Sequence, residues 1–145
     1  MKTALFPGSF DPFTKGHRDI VDRALQSVAD EVIIAIGINA NKHCMQTVDE
    51  RMAAIRTIYK DEPRVRVEAY EGLTTDFARQ TGAAFLLRGI RNVKDFEYER
   101  DIADINRRLT GIETVLLYCQ PELAYISSSL VRELASWGKD ISDFL

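Results

Sequence analysis

The residues best suited to chemistry lie in one loop near the start of the chain. The loop reads Phe-Pro-Gly-Ser-Phe-Asp-Pro-Phe-Thr-Lys-Gly-His over positions 6–17 and follows the apolar run 4–6. That run is typical of a buried strand, and an amphipathic helix is predicted to begin near Gly16. Backbone N–H groups in the first turn of a helix attract anions, and the helix dipole adds to that attraction. We therefore predict a phosphate site here, with His17 donating to a phosphoryl oxygen.

This loop is neither of two well-known phosphate motifs. It lacks the G-x-x-x-x-G-K-[ST] pattern of the P-loop and the G-x-G-x-x-G pattern of dinucleotide-binding folds. For the run 14–17 alone, Thr-Lys-Gly-His, a turn with a surface histidine is the alternative interpretation. The preceding Gly-Ser-Phe-Asp-Pro at 8–12 follows a predicted strand directly, and this placement favours the functional interpretation.

Cationic side chains follow two other predicted strands. Lys42 lies in the polar loop 37–46, where its ammonium group either reaches a phosphate or is simply solvated. Arg88 and Arg91 follow the apolar run 84–87, and paired guanidinium groups are well suited to binding phosphates. The glycine at 89 is expected to allow a sharp turn. A surface salt bridge to an acidic residue at 95 or 97 is the alternative for the arginines.

Two further groups lie at or inside predicted helices. Tyr98 matches the apolar stripe of its helix, so packing is its expected role. Glu99 can accept a hydrogen bond from a ribose hydroxyl or an adenine amine, although from sequence alone a solvated glutamate is the preferred interpretation. The three serines at 127–129 open a helix and offer hydroxyl and N–H donors, which predicts a second anion site. Simple N-capping, which needs one serine, is the alternative.

Apolar runs and helical patterns alternate along the chain. Strands are predicted at 2–7, 32–36, 64–70, 84–87 and 113–119, and helices at 17–29, 47–59, 74–81, 95–110 and 127–137. The second helix begins with the capping box Thr47-Val48-Asp49-Glu50. This order predicts an α/β fold in a single domain over 1–145, with a Rossmann-like, doubly wound parallel sheet of five strands. Ligands bind beyond the carboxyl ends of such strands, where most of the polar groups described above lie.

The composition is that of an ordinary globular protein, with 46% hydrophobic and 28% charged residues. A formal net charge of -3 argues against a general nucleic-acid binder. Cys44 and Cys119 have no disulfide or zinc spacing, so a reducing cytoplasm is the expected compartment and no protein-bound metal is expected. No apolar segment is long enough to span a bilayer, so we expect no membrane partner.

Five motifs lie in order along the chain, at 7–12, 14–17, 87–91, 95–99 and 126–132. Together they resemble the nucleotidyltransferase superfamily with an [HT]-x-G-H loop and, within it, the phosphopantetheine adenylyltransferase family. The resemblance covers essentially the whole chain. It implies transfer of the adenylyl group of ATP to 4'-phosphopantetheine, giving dephospho-CoA and pyrophosphate in the penultimate step of coenzyme A synthesis. It also implies Mg²⁺ held mainly by substrate phosphates, CoA as a further ligand, and a homohexamer.

The resemblance implies roles for individual residues. The catalytic set is His17, as transition-state stabiliser, with Lys42, Arg91 and Ser129. The phosphopantetheine set is Ser9, Lys42, Thr74 and Arg88. The ATP set is larger: Ser9, Phe10, His17, Gly89, Ile90, Arg91, Glu99, Leu123, Ala124, Tyr125, Ile126, Ser127, Ser128 and Ser129. Because the acceptor phosphate is already ionised at neutral pH, we expect direct in-line attack at the α-phosphorus without a covalent enzyme intermediate.

Residues at two places differ from the family pattern, and two other functions are alternatives to the adenylyl transfer predicted above. Ser9 stands where threonine is common, which keeps the hydroxyl, and Ala124-Tyr125 stands where an aromatic–Ser/Thr pair is often seen. The closest alternative is another transferase of the superfamily, such as a glycerol-phosphate cytidylyltransferase or a nicotinamide-mononucleotide adenylyltransferase. A non-catalytic module that senses adenylates is an alternative of a different class.

Overall fold

A computed structural model describes residues 1–145 and contains five strands that alternate with five α-helices. The strands are β1 (Thr3–Gly8), β2 (Glu31–Gly37), β3 (Val65–Tyr70), β4 (Phe85–Ile90) and β5 (Glu113–Tyr118). The helices are α1 (Lys15–Ser27), α2 (Val48–Ile58), α3 (Thr74–Thr81), α4 (Val93–Thr110) and α5 (Ser128–Ser136). Short 3₁₀ turns occupy Pro121–Leu123 and Ser142–Phe144.

All five strands are parallel and lie in the order β3-β2-β1-β4-β5. Leu5 of β1 is paired with Ile33 on one side and with Leu86 on the other. The chain first adds strands on one side of β1 and then crosses to add β4 and β5 on the other side. The direction of winding therefore reverses between β1 and β4, and ligands of such sheets bind at the carboxyl ends of the strands at this point. The predicted fold class is confirmed.

Alternate residues of the central strands enter two separate cores. Phe6, Ile34 and Leu87 lie in the larger core, whereas Leu5 and Ile33 lie in the smaller one. The segment 32–36 of β2 is fully buried on both faces, as expected for a central strand of a parallel sheet. The sheet is thus covered on both sides, which holds its carboxyl edge as a rigid base for loops.

Local sequence signals set several helix boundaries. In α2, the Thr47 hydroxyl accepts from the backbone N–H of Glu50 at 3.1 Å, and the Glu50 carboxylate accepts from the N–H of Thr47 at 3.4 Å. Gly82 ends α3 in a left-handed conformation with φ +73°, which a glycine adopts without strain. The predicted capping box is confirmed, and the bounds of α3 are those predicted from the sequence.

The prediction of a sharp turn at Gly89 is wrong. Strand β4 extends to Ile90, so Arg88 and Gly89 lie inside it rather than in the following loop. Gly89 is needed for a different reason: a Cβ atom there would lie 2.8 Å from Cγ1 of Ile20 on α1. The glycine therefore allows α1 to pack directly on β4, and this close contact brings the start of α1 to the end of the strand.

The prediction that the apolar stripe of α4 packs in the core is also wrong. Tyr98, Ile105 and Leu109 are 66%, 57% and 60% exposed. Instead, α4 buries Glu99, which is 5% exposed as a whole residue. The helix therefore presents apolar side chains at the surface of the chain. No helix is both long enough and apolar enough to cross a membrane.

Candidate active site

Two adjoining cavities lie at the carboxyl ends of β1 and β4. The large cavity has a volume of about 870 Å³ and extends over the loop after β2 and the start of α3. The small cavity has a volume of about 390 Å³ and lies between the first turns of α1 and α5. Six residues line both: Gly8, Ser9, Lys42, Arg88, Tyr98 and Glu99. The arrangement suits two ligands that meet at a shared polar boundary.

His17 belongs to the N-terminal cap of α1. Thr14 is the N-cap residue, and its backbone N–H donates to Nδ1 of His17 at 2.9 Å. The hydroxyl oxygen of Thr14 lies 3.2 Å from the same nitrogen. In a capping box the third helical residue bonds back to the N-cap N–H, a position usually filled by Glu or Gln. A histidine in this position is held at the helix N-terminus with its other nitrogen free.

His17 is a neutral donor. Burial, followed by the positive charges of Arg88 and Arg91, lowers the pKa of His17 to about 3. Because Nδ1 accepts the Thr14 N–H, the neutral ring carries its proton on Nε2. Nε2 makes no hydrogen bond within the chain, and His17 lines the small cavity. The ring is therefore prepared to donate one hydrogen bond to an anion without carrying a charge.

Three phenylalanine rings surround the imidazole. Phe13 stacks on it with centroids 5.3 Å apart, and Phe10 meets it edge-on at 5.0 Å, with Phe6 at 6.2 Å. Phe10 has a φ of +49°, unusual for a residue with a side chain, and its ring lies where a Cβ atom on Gly8 would come within 2.9 Å. Phe10 lines the small cavity, yet the residue is only 4% exposed, so it offers little surface to a ligand.

Ser9 and Lys42 meet at the boundary between the cavities. The ammonium group of Lys42 donates to the Ser9 hydroxyl at 3.1 Å. The Ser9 carbonyl accepts from Nη1 of Arg51 at 2.6 Å, and Arg51 is 4% exposed. The loop after β2 thus brings the exposed ammonium group of Lys42 to the loop between β1 and α1, while the buried Arg51 fixes the backbone of the latter loop. Thr74 lines the large cavity, with its hydroxyl 2.7 Å from that of Tyr70.

Arg88 and Glu99 form a bidentate ion pair. Nε of Arg88 donates to both carboxylate oxygens, at 3.0 and 3.1 Å, and Nη2 donates to Oε1 at 2.7 Å. Nη1 of Arg88 also donates to the carbonyl of Pro7. The expectation that Glu99 is solvated is therefore wrong. The pair holds one guanidinium group against the boundary of both cavities.

Arg91 lies at the edge of the small cavity. Its guanidinium pairs with Asp95 at 3.2 Å, which is one of the salt bridges considered as an alternative in the sequence. The side chain is 36% exposed, so the pair does not bury the charge. Arg91 therefore remains available to a ligand, and its proximity to His17 contributes to the lowered pKa of that ring.

The three serines at the start of α5 have three different partners. The Ser127 hydroxyl caps the helix by accepting the N–H of Leu130 at 3.1 Å. Ser128 donates to the carbonyl of Pro12 at 2.9 Å, and Ser129 accepts from Arg132 at 3.2 Å. All three line the small cavity opposite His17. The first turns of two helices thus face one cavity, the arrangement that binds anions.

The structure brings most of the predicted site residues together. Leu123, Ile126 and Gly89 join the serines in the small cavity. Ile90, Ala124 and Tyr125 line neither cavity. Ile90 is 6% exposed, whereas Tyr125 is 61% exposed and packs edge-on against Phe144. For these three residues any ligand contact would have to come through the backbone or a local rearrangement.

The sequence indicates no role for three polar residues that hold the loop between β1 and α1 in place. Asp11 is 1% exposed and accepts two backbone N–H groups from the loop after β2. Arg51 donates to the Ser9 carbonyl, and Arg132 donates to the Asp11 carbonyl at 2.8 Å. Arg132 lies in a motif noted in the sequence, but no pattern indicated its partner. Long-range contacts of this kind leave no periodic signal in a single sequence.

The polar side chains of the site do not form a metal cage. The chain contains no cluster of three or more His, Cys, Asp or Glu side chains suited to a metal ion. The two carboxylates that line the small cavity, Asp95 and Glu99, are both paired with arginines. This donor set suits a phosphate ligand better than a cation.

The chain is similar over its length to nucleotidyltransferases. The family model of cytidylyltransferase-like proteins matches residues 5–134. Phosphopantetheine adenylyltransferases from Bacteroides fragilis and Bacteroides thetaiotaomicron are 58% and 57% identical over 145 residues, covering 100% of this chain and 96% and 95% of theirs. A protein of the same name from Leuconostoc citreum is 49% identical, over 97% of this chain and 88% of its own.

Solved structures support the fold at much lower identity. A putative nicotinate-nucleotide adenylyltransferase from Vibrio parahaemolyticus superposes with a TM-score of 0.63 at 19% identity, covering 99% of this chain and 93% of its own. A lipopolysaccharide core biosynthesis protein from Thermoplasma volcanium gives a TM-score of 0.58 at 16% identity, over 83% and 97% of the two chains. The full-length sequence matches decide the family: the chain belongs to the cytidylyltransferase-like nucleotidyltransferases and, among them, to the phosphopantetheine adenylyltransferase family.

Proposed function

We propose that the chain transfers the adenylyl group of ATP to 4'-phosphopantetheine, forming dephospho-CoA and pyrophosphate in the penultimate step of coenzyme A synthesis. The full-length identity to adenylyltransferases of that name supports the choice of substrates. The single observation that carries the proposal is the pair of cavities that share Ser9, Lys42 and Arg88. ATP would occupy the small cavity and the pantetheine arm the large one, so that the two reacting phosphates meet at this boundary.

The acceptor phosphate would be held by cations at the boundary. Lys42 and Arg88 supply two positive charges, Ser9 supplies a hydroxyl group, and Thr74 lies farther along the large cavity. A phosphate monoester loses its second proton at a pH of about 6, so the attacking oxygen is already ionised at neutral pH. The site needs no strong general base. Lys42 and Arg88 would instead orient the attacking oxygen toward the α-phosphorus of ATP.

ATP would be bound by the two helix starts that face the small cavity. Nε2 of His17 and the N-terminal turn of α5 offer hydrogen bonds to the triphosphate, and Arg91 adds a positive charge. The base and ribose would lie against Gly89, Glu99 and the segment 123–127. The remaining predicted contacts, of Phe10, Ile90, Ala124 and Tyr125, would come through the backbone or after a local rearrangement.

Catalysis in this proposal is positioning together with neutralisation of charge in the transition state. The acceptor oxygen forms a bond to the α-phosphorus while the bond to the leaving pyrophosphate breaks, without a covalent enzyme intermediate. Negative charge develops on the phosphoryl oxygens, where His17, Arg91 and Ser129 would donate. A neutral histidine suits this purpose because its hydrogen bond strengthens as the charge develops. Mg²⁺ would enter with the ATP phosphates and neutralise part of their charge.

A pyrophosphate-release assay tests the proposed substrates. ATP and CTP are each combined with 4'-phosphopantetheine, nicotinamide mononucleotide or glycerol 3-phosphate. The proposal expects turnover with ATP and 4'-phosphopantetheine alone. Turnover with another acceptor and none with 4'-phosphopantetheine would identify a different transferase of the superfamily. Nucleotide binding without any turnover would favour the sensing module.

We also propose that the chain works as a homo-oligomer, a homohexamer by resemblance to the family, in the cytoplasm. The exposed apolar side chains of α4, among them Tyr98, Ile105 and Leu109, support self-association because such a surface is costly in water. Dephospho-CoA would bind as product, and CoA would compete for the same two cavities. A mass from light scattering distinguishes a hexamer from smaller species.

A further inference from the structure

Asp11 is a buried carboxylate that the proposed reaction does not use. It is 1% exposed and lies in the turn between β1 and α1. Oδ2 accepts the backbone N–H of Met45 at 2.7 Å, and Oδ1 accepts the N–H of Gln46 at 2.9 Å. Both oxygens are thus directed at one short segment that lies 34 and 35 residues away in the sequence.

That segment ends the loop that carries Lys42. Residues 39–46 make three hydrogen bonds to other parts of the chain. Two are the N–H donations to Asp11, and the third is the Lys42 ammonium donating to the Ser9 hydroxyl. The other bonds of the loop are local, from the N–H groups of Asn41 and Lys42 to Asn39. The Asp11 carboxylate is therefore the group that anchors the backbone of this loop to the rest of the chain.

The turn that bears Asp11 is itself fixed from two sides. Arg51 of α2 donates to the carbonyl of Ser9, and Arg132 of α5 donates to the carbonyl of Asp11 at 2.8 Å. Ser128 donates to the carbonyl of Pro12. Because this turn is held by two helices, a loop bonded to Asp11 is held in register with Ser9 and with the start of α5.

We propose that Asp11 is a positioning residue that sets the place of Lys42 opposite Ser9. The inference rests on the proposed acceptor-binding role of Lys42. A carboxylate suits the task because both of its oxygens only accept hydrogen bonds, so that one side chain holds two consecutive N–H groups. Asparagine has nearly the same shape but would turn an NH₂ group toward one of those N–H groups. Asp11→Asn should therefore release one end of the loop while keeping the volume of the core.

A double-mutant cycle on kcat/KM for 4'-phosphopantetheine tests the proposal, using Asp11→Asn, Lys42→Ala and the double variant. Asp11→Asn should lower the value roughly tenfold, the effect expected when one buried hydrogen bond is lost. When Asp11→Asn is added to Lys42→Ala, kcat/KM should fall by less than about a further twofold, because the effects of residues that act through one another are not additive. The exposed Asp49→Asn serves as the matched control and should behave as wild type.

An equal loss in both backgrounds would overturn the proposal, as would wild-type kinetics in Asp11→Asn. If wild type itself does not turn over 4'-phosphopantetheine, the proposed function fails instead. Hydrogen exchange on the wild-type chain provides a test that does not depend on the folding of any variant. The amides of Met45 and Gln46 should exchange at least about tenfold more slowly than those of His43 and Cys44. Equal exchange of the four amides would show that the anchor does not persist, and would also overturn the proposal.

Discussion

Arg88 and Glu99 are joined by a bidentate ion pair whose two members differ in exposure. The Glu99 side chain is 7% exposed, whereas that of Arg88 is 33% exposed and faces both cavities. Both carboxylate oxygens already accept from Arg88, so the pair fixes the direction of the guanidinium group. The guanidinium group that we propose to bind the acceptor phosphate is thereby oriented in the chain without a ligand.

This difference in exposure predicts unequal costs of removing each partner. Arg88→Ala leaves a buried carboxylate unpaired and should lower the free energy of unfolding by about 3 kcal/mol. Glu99→Ala leaves an arginine that can reach water, so its cost should be smaller, at about 1 kcal/mol. Urea denaturation at pH 7 measures both values. The exposed pair Arg107–Asp104 provides a control, because Arg107→Ala should cost less than about 0.5 kcal/mol. Equal costs for the two site variants would contradict this view of the pair.

A second prediction concerns the effect of pH on stability. Because the pKa of His17 is about 3 in the folded chain and 6.5 without the fold, the unfolded chain binds more protons between these values. The contribution of the neutral His17 ring to the free energy of unfolding is complete above pH 6.5 and is lost as the pH falls toward 3. Between pH 8 and pH 5 the loss should be about 2 kcal/mol.

The comparison of wild type with His17→Gln isolates this contribution from that of the carboxylates. Glutamine can still accept the Thr14 N–H but does not titrate. Urea denaturation across the pH range should therefore give a shallower decline for the variant. Parallel declines for the two chains would mean that the ring is protonated as easily in the folded state as in the unfolded state.

A third prediction follows from the packing of Ile20 on Gly89. In Gly89→Ala the new methyl group would lie 2.8 Å from Cγ1 of Ile20, which is too close for packed carbon atoms. Overpacking of this kind should cost about 1–3 kcal/mol in thermal or urea unfolding. Ile20→Ala removes the atoms that clash, so the double variant should lose less than the sum of the two single changes. Additive losses would show that the contact does not explain the glycine.

Much of the fold could be predicted because local signals and the global fold agree. The run 32–36 is apolar on both faces and lies in the inner strand β2, and Thr47 and Glu50 form the capping box that their spacing indicates. Gly82 ends α3 for the reason that glycine usually ends a helix. In each case the signal depends on neighbouring residues and on no distant partner.

The predictions that were wrong depended on distant partners. The apolar spacing of α4 correctly predicted a helix, but which face is buried depends on α3 and the sheet, and Glu99 is buried because Arg88 lies opposite it. The sequence suggests a turn at Gly89 because Ile20, against which Gly89 packs, is remote in the sequence. The anchor role proposed for Asp11 likewise depends on two amides more than thirty residues away. Such relationships become visible only when the chain is folded.

A fourth prediction concerns Lys42. Its ammonium group is exposed and makes one hydrogen bond, to Ser9, so Lys42→Ala should leave the stability of the chain unchanged. Loss of a charge-assisted bond to the acceptor phosphate should lower kcat/KM for 4'-phosphopantetheine by roughly 10- to 100-fold. Steady-state kinetics measure the effect, with the exposed Lys60→Ala as control. Unchanged kinetics in Lys42→Ala would remove this residue from the site.

We propose that a neutral His17 stabilises the transition state of adenylyl transfer. This role is tested by measuring kcat for pyrophosphate release from saturating ATP and 4'-phosphopantetheine in His17→Ala. His43→Ala, which changes the other histidine of the chain in an exposed loop, serves as the control. In His17→Ala, kcat should fall by roughly two to four orders of magnitude with folding retained, and in His43→Ala it should be unchanged. A folded His17→Ala variant with a kcat close to that of wild type would contradict the proposed role.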